Sequence, residues 1–233
     1  MIPTKNEEDY LPDVLASIKN QTLQPDEIII ADDASTDKTR KIAKDAGARI
    51  VKGGMPGAAR NHGAKVATGD LILFLDADVE LRDKTFLKEI VKEFVKRRLD
   101  IAAPDVVPID GNKFDKFAHE VYNAYVRLIG RLRAHAPGFC ILVKKSIHNQ
   151  IKGFDETIIF AEDHDYANRA KKIGRFGFLS KTVPIHVSTR RMVRDGRLRM
   201  VLTYLLAEVH IWVFGPIRHN AFRYTFGHDK KSK

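Results

Sequence analysis

Asp76 and Asp78 stand one alanine apart in GDLILFLDADVE, residues 69 to 80, directly after the apolar run from Ile72 to Leu75. Two carboxylates spaced i and i+2, where a strand gives way to a loop, can put one acid on a hard divalent cation. The other is left for a hydroxyl or an outer contact. Mg²⁺ takes few protein carboxylates and completes its shell with water and substrate phosphates, so a short D-x-D suits a metal-bridged diphosphate. Two further acid pairs recur: Asp32 and Asp33 close DEIIIADD, and Glu162 and Asp163 lie in GFDETIIFAEDHDYANRAKKIG. Each has a plainer use, the first in capping a helix near Ser35 and the second in complementing a helix dipole.

The elements that must position these acids can be read from periodicity. Leu11, Val14, Leu15 and Ile18 follow the i, i+3, i+4, i+7 rule and predict a helix over Glu7 to Asn20. Glu27 to Ala31 reads as a short β-branched strand. STDKTRKIAKDAG then reads as a helix that Ser35 or Thr36 could cap and Gly47 stop. ARIVKG is a further strand, GAARNHGAKVA a loop entering a helix, and DLILFLDADVE a strand again. Such β-α-β-α-β alternation predicts a largely parallel sheet with helices on both faces and ligands beyond the carboxyl ends of its strands. Asp32, Asp33, Asp76 and Asp78 therefore fall at one edge of one sheet. Further on, a helix is expected from about Lys84, a proline-interrupted strand in IAAPDVVPID and a long amphipathic helix in KFDKFAHEVYNAYVRLIGRLR. A strand in GFCILV, a turn at Gly153 and a helix ending at Gly174 follow.

The 233 residues suffice for one generous domain, and 44% hydrophobic with 30% charged residues is ordinary for a globular chain. The formal charge of +10 is uneven: Arg190, Arg191, Arg194, Arg197 and Arg199 crowd together, with Arg218 and Arg223 further on. That field favours anionic partners such as phosphates or lipid headgroups. No basic stripe interleaved with aromatics is present, so nucleic acid is not expected as a partner. The lone Cys140 rules out an intramolecular disulfide and suits a small buried apolar role. The start, MIPTKNEED, has no apolar signal region, and the longest apolar-rich run, Met200 to Phe214, is shorter than the ~20 residues of a spanning helix. The tail GHDKKSK reads as loose.

IPTKNEE, IIIADDASTDKT, GAARNHGAKVATGD, LFLDADV and GFDETIIFAEDHDYANRAKKIG occur in an order and spacing that resembles the family 2 glycosyltransferases of GT-A fold, over Ile2 to His186. The resemblance implies an α/β, Rossmann-like, mostly parallel sheet sandwiched by helices. It divides the chain into a catalytic domain at 1–187, with a nucleotide-sugar half at about 1–80 and an acceptor half at about 81–187, and a basic helical arm and tail at 188–233. It implies an inverting, metal-dependent transfer from a UDP- or GDP-sugar to an acceptor hydroxyl. By the same resemblance Pro3, Thr4 and Glu7 touch the nucleotide, and Asp33, ahead of Asp32, reads the base. Arg60 lies near the nucleotide-sugar, Asp76 faces ribose or sugar hydroxyls, and Asp78 binds Mn²⁺ or Mg²⁺. Asp163, paired with Glu162, is the expected base. His186 is expected to complete the metal's coordination, with a structural histidine as the alternative, and Arg190 and Arg191 to neutralise the leaving phosphates.

In that family several apolar residues precede the IPT segment, so this chain's first strand is expected to be truncated or to begin upstream of Met1. The stretch from Leu198 to Phe214 has apolar residues around most of its circumference and arginine-rich flanks. It suits a membrane interface through residues 190–223, or packing on the catalytic domain or a second subunit as a homodimer. Residence in the cytoplasm, peripheral on a membrane face, follows. The acceptor could be lipid-linked. The alternatives are a polyprenyl-phosphate acceptor or an inactive membrane or nucleic-acid binding module on the same fold. A sugar nucleotidyltransferase or dinucleotide oxidoreductase would need a glycine-rich loop after the first strand, which IPTKNEED lacks.

Overall fold

The computed structural model describes residues 1–130, 132–179 and 183–222. Arg223 and the tail GHDKKSK lie outside the described residues. In chain order the elements are β1 (Ile2–Thr4), α1 (Leu11–Lys19), β2 (Ile29–Asp32), α2 (Thr39–Asp45), β3 (Arg49–Lys52), α3 (Pro56–Val66), β4 (Leu71–Leu75) and β5 (Val79–Glu80). Then come α4 (Phe86–Lys96), β6 (Ile101–Pro104), β7 (Val106–Pro108), α5 (Lys113–Ile129), β8 (Cys140–Lys144) and α6 (Lys145–Gln150). The chain continues with α7 (Glu162–Ile173), β9 (Phe176–Leu179), β10 (Ile185–Val187), α8 (Arg190–Asp195) and α9 (Arg197–Phe214).

β1, β2 and β3 pair in parallel, with Thr4 opposite Asp32 and Asp32 opposite Lys52. β8 runs antiparallel between β4 and β6, and β6 pairs in parallel with β9. Met1 joins the two sets: its backbone nitrogen donates to Leu73 O (2.9 Å), and Leu75 N–H donates to Met1 O (3.0 Å). The result is one layer ordered β3-β2-β1-β4-β8-β6-β9. A small sheet, β5-β10-β7, follows the D-x-D turn.

Because successive strand residues face opposite sides, the layer has a core on each face. Ile2, Ile30, Leu75, Ala102 and Leu142 pack with α1 and α4 residues such as Leu15, Phe86 and Ile90. Ile29, Phe74, Ile101 and Ile141 pack on the other side with Ala64 of α3 and Tyr166 of α7. Phe154 stacks on Tyr166 at 3.9 Å, and the fully buried Phe74 meets both rings edge-on. Cys140 is buried and free, and burial pushes its thiol pKa up.

The predicted elements recur with local corrections. α1 begins at Leu11 rather than Glu7, because the Glu7 carbonyl accepts from the N–H groups of Tyr10 and Leu11 and closes a turn first. Neither Ser35 nor Thr36 caps α2. The Ser35 hydroxyl donates to Asp32 Oδ2 and accepts from Asn6 N–H, while Asp37 Oδ1 takes the Thr39 N–H. IAAPDVVPID is two strands, broken at Asp105, one in each sheet. His186 lies inside β10 rather than beyond a strand. The 197–214 stretch is helical as expected and packs partly on the body: Ala207 and Ile211 bury with Phe160 and Ile217, and Arg197 holds Asp115 through two bonds (2.7 and 3.0 Å). Among the described residues no helix is long and apolar enough to cross a membrane.

Candidate active site

β4 ends at Leu75, and its continuation places Asp76, Ala77 and Asp78 at the carboxyl edge of the layer. Facing them is Arg60, delivered by α3, which starts with Pro56 at a position where a missing N–H costs nothing. Arg60 is 2% exposed and bridges two segments. Its Nη2 donates to Asp76 Oδ1 (2.8 Å) and to Gly138 O (3.2 Å), and its Nη1 donates to Glu162 Oε1 (2.8 Å). One guanidinium thus ties the D-x-D acids to the Glu162-Asp163 pair, which its planar fork of donors suits. Burial raises the pKa of both Asp76 and Glu162; Arg60 opposes the rise in each, while Asp78 adds to it at Asp76 and Asp163 at Glu162.

Asp163 enters the first turn of α7 after Ala161, which caps the helix in the left-handed region at φ 59°. Its Oδ2 accepts the Gly138 N–H (2.6 Å) and its Oδ1 accepts the His164 N–H (2.9 Å). Gly138 leaves room for this approach: a Cβ there would lie 2.9 Å from Asp163 Oδ2 and 3.1 Å from Arg60 Nη2, so those side chains would have to shift. The loop before β8, and Gly138 in particular, is the functional contribution that sequence reading missed. Its signal was a glycine flanked by proline and phenylalanine just ahead of a strand.

Glu7 and Asp78, both nearly buried, share a second arginine. Arg190 of α8 donates from Nε to Asp78 Oδ2 (2.6 Å), from Nη1 to Glu7 Oε2 (2.8 Å) and from Nη2 to Glu7 Oε1 (3.1 Å). Its guanidinium lies over the Tyr10 ring at 4.2 Å. Burial raises the Glu7 pKa and Arg190 opposes it, with Asp78 and Asp76 adding to the rise. Pro3, Glu7, Pro56, Arg60, Asp76, Ala77, Asp78, Arg190 and Arg191 line one narrow cleft.

Of the predicted residues, Glu162, Asp163, Thr4, Asp32, Asp33 and His186 are absent from that lining, the first two reaching it only through Arg60 and Gly138. Thr4 is buried and donates to Asp32 Oδ2 (3.1 Å). Asp32, also buried, accepts from Ser35 and from Arg40 Nη1 (3.0 Å) and serves the turn after β2. Asp33 is a third exposed and pairs with Lys5 Nζ at 3.2 Å. Gly53 packs on that turn so tightly that a Cβ would sit 2.4 Å from the Asp33 nitrogen. His186 pairs across the small sheet with Glu80. Burial lowers its pKa, with Arg82 adding and Glu80 opposing, and it is absent from the cleft lining. The residue whose N–H meets Asp78 O (3.0 Å) is Ser188.

The donor set fits a hard divalent cation. Asp76 and Asp78 offer carboxylate oxygens at one rim, close enough for Asp78 to push the Asp76 pKa up, and both bind cationic side chains there.

Comparison with known proteins agrees with this geometry. The chain is 27% identical to the O-antigen chain rhamnosyltransferase RfbN of Salmonella typhimurium, covering 97% of this chain and 78% of that protein. It is 31% identical to the poly(ribitol-phosphate) beta-glucosyltransferase of Bacillus spizizenii, over 74% of this chain and 30% of that one. Among solved structures it superposes on the mannosyltransferase PcManGT of Pyrobaculum calidifontis, in complex with GDP-Man and Mn²⁺, with a TM-score of 0.69 and 19% identity. Coverage there is 97% of this chain and 64% of the other. For TarS 1-349 of S. aureus in complex with UDP the TM-score is 0.65 at 20% identity, over 91% and 64%. The chain spans under a third of some curated relatives and about two thirds of these solved ones. The fold is the GT-A α/β type. The family model described as glycosyl transferase family 2 matches residues 1–165, and the chain belongs to that family.

Proposed function

We propose that this chain is an inverting, metal-dependent glycosyltransferase that moves a sugar from a UDP- or GDP-sugar to an acceptor hydroxyl. The observation that carries the reading is Arg60, which brings Asp76 and Glu162, the neighbour of Asp163, to one guanidinium at 2.8 Å each. A donor anchored at the D-x-D acids then presents its anomeric carbon toward Asp163.

Asp78 and Asp76 would hold Mn²⁺ or Mg²⁺. Bound there, the ion would offset the charge of the departing diphosphate. The chain's own residues do the rest. Pro3, Glu7 and the β2 turn with Asp33 frame the nucleotide, and Arg190 and Arg191 face the diphosphate. Asp163, aimed by two backbone N–H groups, takes the proton from the acceptor hydroxyl as its oxygen bonds to the anomeric carbon and the bond to the diphosphate breaks. A single displacement inverts the configuration. A phosphate acceptor would need no base, so the Glu162-Asp163 pair favours a hydroxyl over a polyprenyl phosphate.

Residues 1–187 form the catalytic body, to whose cleft α8 adds Arg190 and Arg191, with the donor half at about 1–80. The names of RfbN and the poly(ribitol-phosphate) transferase support a role in cell-envelope polysaccharide synthesis. The arm beyond Arg191 would rest on an anionic membrane surface. On α9, Leu202, Leu205, Leu206, Val209, Val213 and Phe214 stay exposed, beside exposed Arg194 and Arg199. The decisive experiment measures transfer or hydrolysis of UDP- and GDP-sugars with Mn²⁺ for wild type, Asp78→Ala and Asp163→Asn. Activity indifferent to both substitutions would refute the mechanism.

A further inference from the structure

Behind the candidate base lies a second cluster that the transfer reaction does not use. His135 is fully buried in the segment between α5 and β8, His164 follows Asp163 in α7, and Glu208 comes from α9. His135 Nε2 is 2.6 Å from Glu208 Oε1, and His164 Nδ1 is 3.3 Å from the same oxygen. The two imidazole centroids are 4.1 Å apart, and one potential ligand atom from each of the three residues lies within 4.8 Å of the others. One carboxylate oxygen is asked to serve both rings: its contact with His164 Nδ1 is an ion pair outside good hydrogen-bond geometry, and His135 Nδ1 has no hydrogen-bond partner among the described residues.

We infer that His135, His164 and Glu208 form a binding site for a divalent transition metal of the zinc type, distinct from the donor site at Asp76 and Asp78. Two imidazole nitrogens and one carboxylate oxygen are a donor set typical of such ions, whose tetrahedra have bonds of ~2.0–2.1 Å. Donor atoms on such a tetrahedron are about 3.3 Å apart by geometry, the separation His164 and Glu208 already have. His135 and Glu208 need to open by only a fraction of an ångström. The surroundings supply outer partners of the expected kind. Tyr125 Oη donates to Glu208 Oε2 (3.1 Å), and His164 Nε2 lies 3.9 Å from Asp163 Oδ1, a carboxylate behind a ligating histidine. Ligation needs an unprotonated nitrogen on each imidazole, so affinity rises as pH rises through the imidazole range.

Such an ion would clip three segments that converge on Asp163. His164 is its neighbour in the chain, His135 lies three residues before the Gly138 N–H that holds it, and Glu208 roots α9. The site is therefore a positioning device, and it places the arm and the base under one bond network.

The test uses the full-length Asp78→Ala protein, which removes the donor-site metal, titrated with Zn²⁺ and with Co²⁺ and monitored by calorimetry and visible absorption. One equivalent should bind, with the intense Co²⁺ bands of a four-coordinate site. X-ray absorption on the Zn²⁺ form should show two imidazoles. Adding Glu208→Gln, which keeps a hydrogen-bond partner for His135, or His164→Ala should weaken binding at least ~100-fold, the upper end of what losing even an outer partner costs such sites. His210→Ala with His219→Ala, a neighbouring pair with centroids 5.3 Å apart, should change nothing. Absence of stoichiometric binding in Asp78→Ala, a spectrum without imidazole, or affinity unmoved by both cluster variants would each overturn the assignment.

Discussion

Arg190 and Asp78 are 112 residues apart in sequence and 2.6 Å apart in space, and the same guanidinium holds both Glu7 oxygens. In this arrangement a protein cation sits where the proposed function puts a metal beside a diphosphate. Arg190→Ala removes the guanidinium that three bonds tie to two buried acids and should destabilise the fold by up to ~3 kcal/mol in chelator. Mn²⁺ should restore more melting temperature to this variant than to wild type, since an ion that binds only the folded state stabilises it. Equal shifts in a thermal melt would contradict the assignment of Asp78.

Arg60→Met tests the bridge between the two halves. It strands Asp76 and Glu162 in burial that already raises both pKa values. The expected cost is ~3–5 kcal/mol, the penalty for removing one partner of a buried ion pair. Urea unfolding reads it directly, and a loss below about 1 kcal/mol, the scale of a surface pair, would mean the bridge is not what joins them.

Asp163→Asn should leave nucleotide binding by calorimetry unchanged while lowering turnover at least ~10²-fold, the contribution of a general base. Weakened donor affinity instead would move Asp163 into the binding set.

His148 predicts the acid limb of stability. Burial lowers its pKa to about 4, with Arg169 and Lys145 adding to the effect, and its Nδ1 meets the Tyr166 hydroxyl at 3.0 Å. The unfolded chain takes up this proton near pH 6.5 and the folded one only near 4, so the folded state loses stability as pH falls through that window. The loss amounts to ~3 kcal/mol. His148→Gln should flatten the pH dependence of the urea midpoint between 6.5 and 4; an unchanged slope would exclude this histidine as its source.

Leu205→Glu with Leu206→Glu places charge on side chains that are 57% and 61% exposed on α9. Co-sedimentation with vesicles containing anionic lipid should drop at least tenfold, with thermal stability unchanged. Undiminished sedimentation would refute the membrane contact, and a monomer replacing a dimer would assign the face to a second copy.

The sequence carried the architecture well where period and chemistry coincide. The Leu11 to Ile18 stripe, the Ile72 to Leu75 run and the acid pairs at strand ends each fall where periodicity put them. It failed where a role depends on distant backbone. The order of Asp33 ahead of Asp32 came from the resemblance alone, and its physical reason, Asp32 turned inward to Thr4 and Asp33 outward to Lys5, is visible only in the structure. Gly138 gives no periodic signal, because its duty is an N–H aimed at a side chain 25 residues away. His186 was drawn toward the metal by its place in the chain, and strand pairing instead sets it opposite Glu80.

The β4 and β8 ladder, with Leu75 opposite Cys140, sets the separation between the donor acids and the loop that aims Asp163. Both reacting sides hang from neighbouring rungs of one rigid hairpin-like pair, and neither α5 nor α9 contributes a rung. The spacing of Asp76 and Gly138 is therefore set by the two strands and not by those outer helices. An insertion of one residue in either strand would shift Asp76 against Gly138.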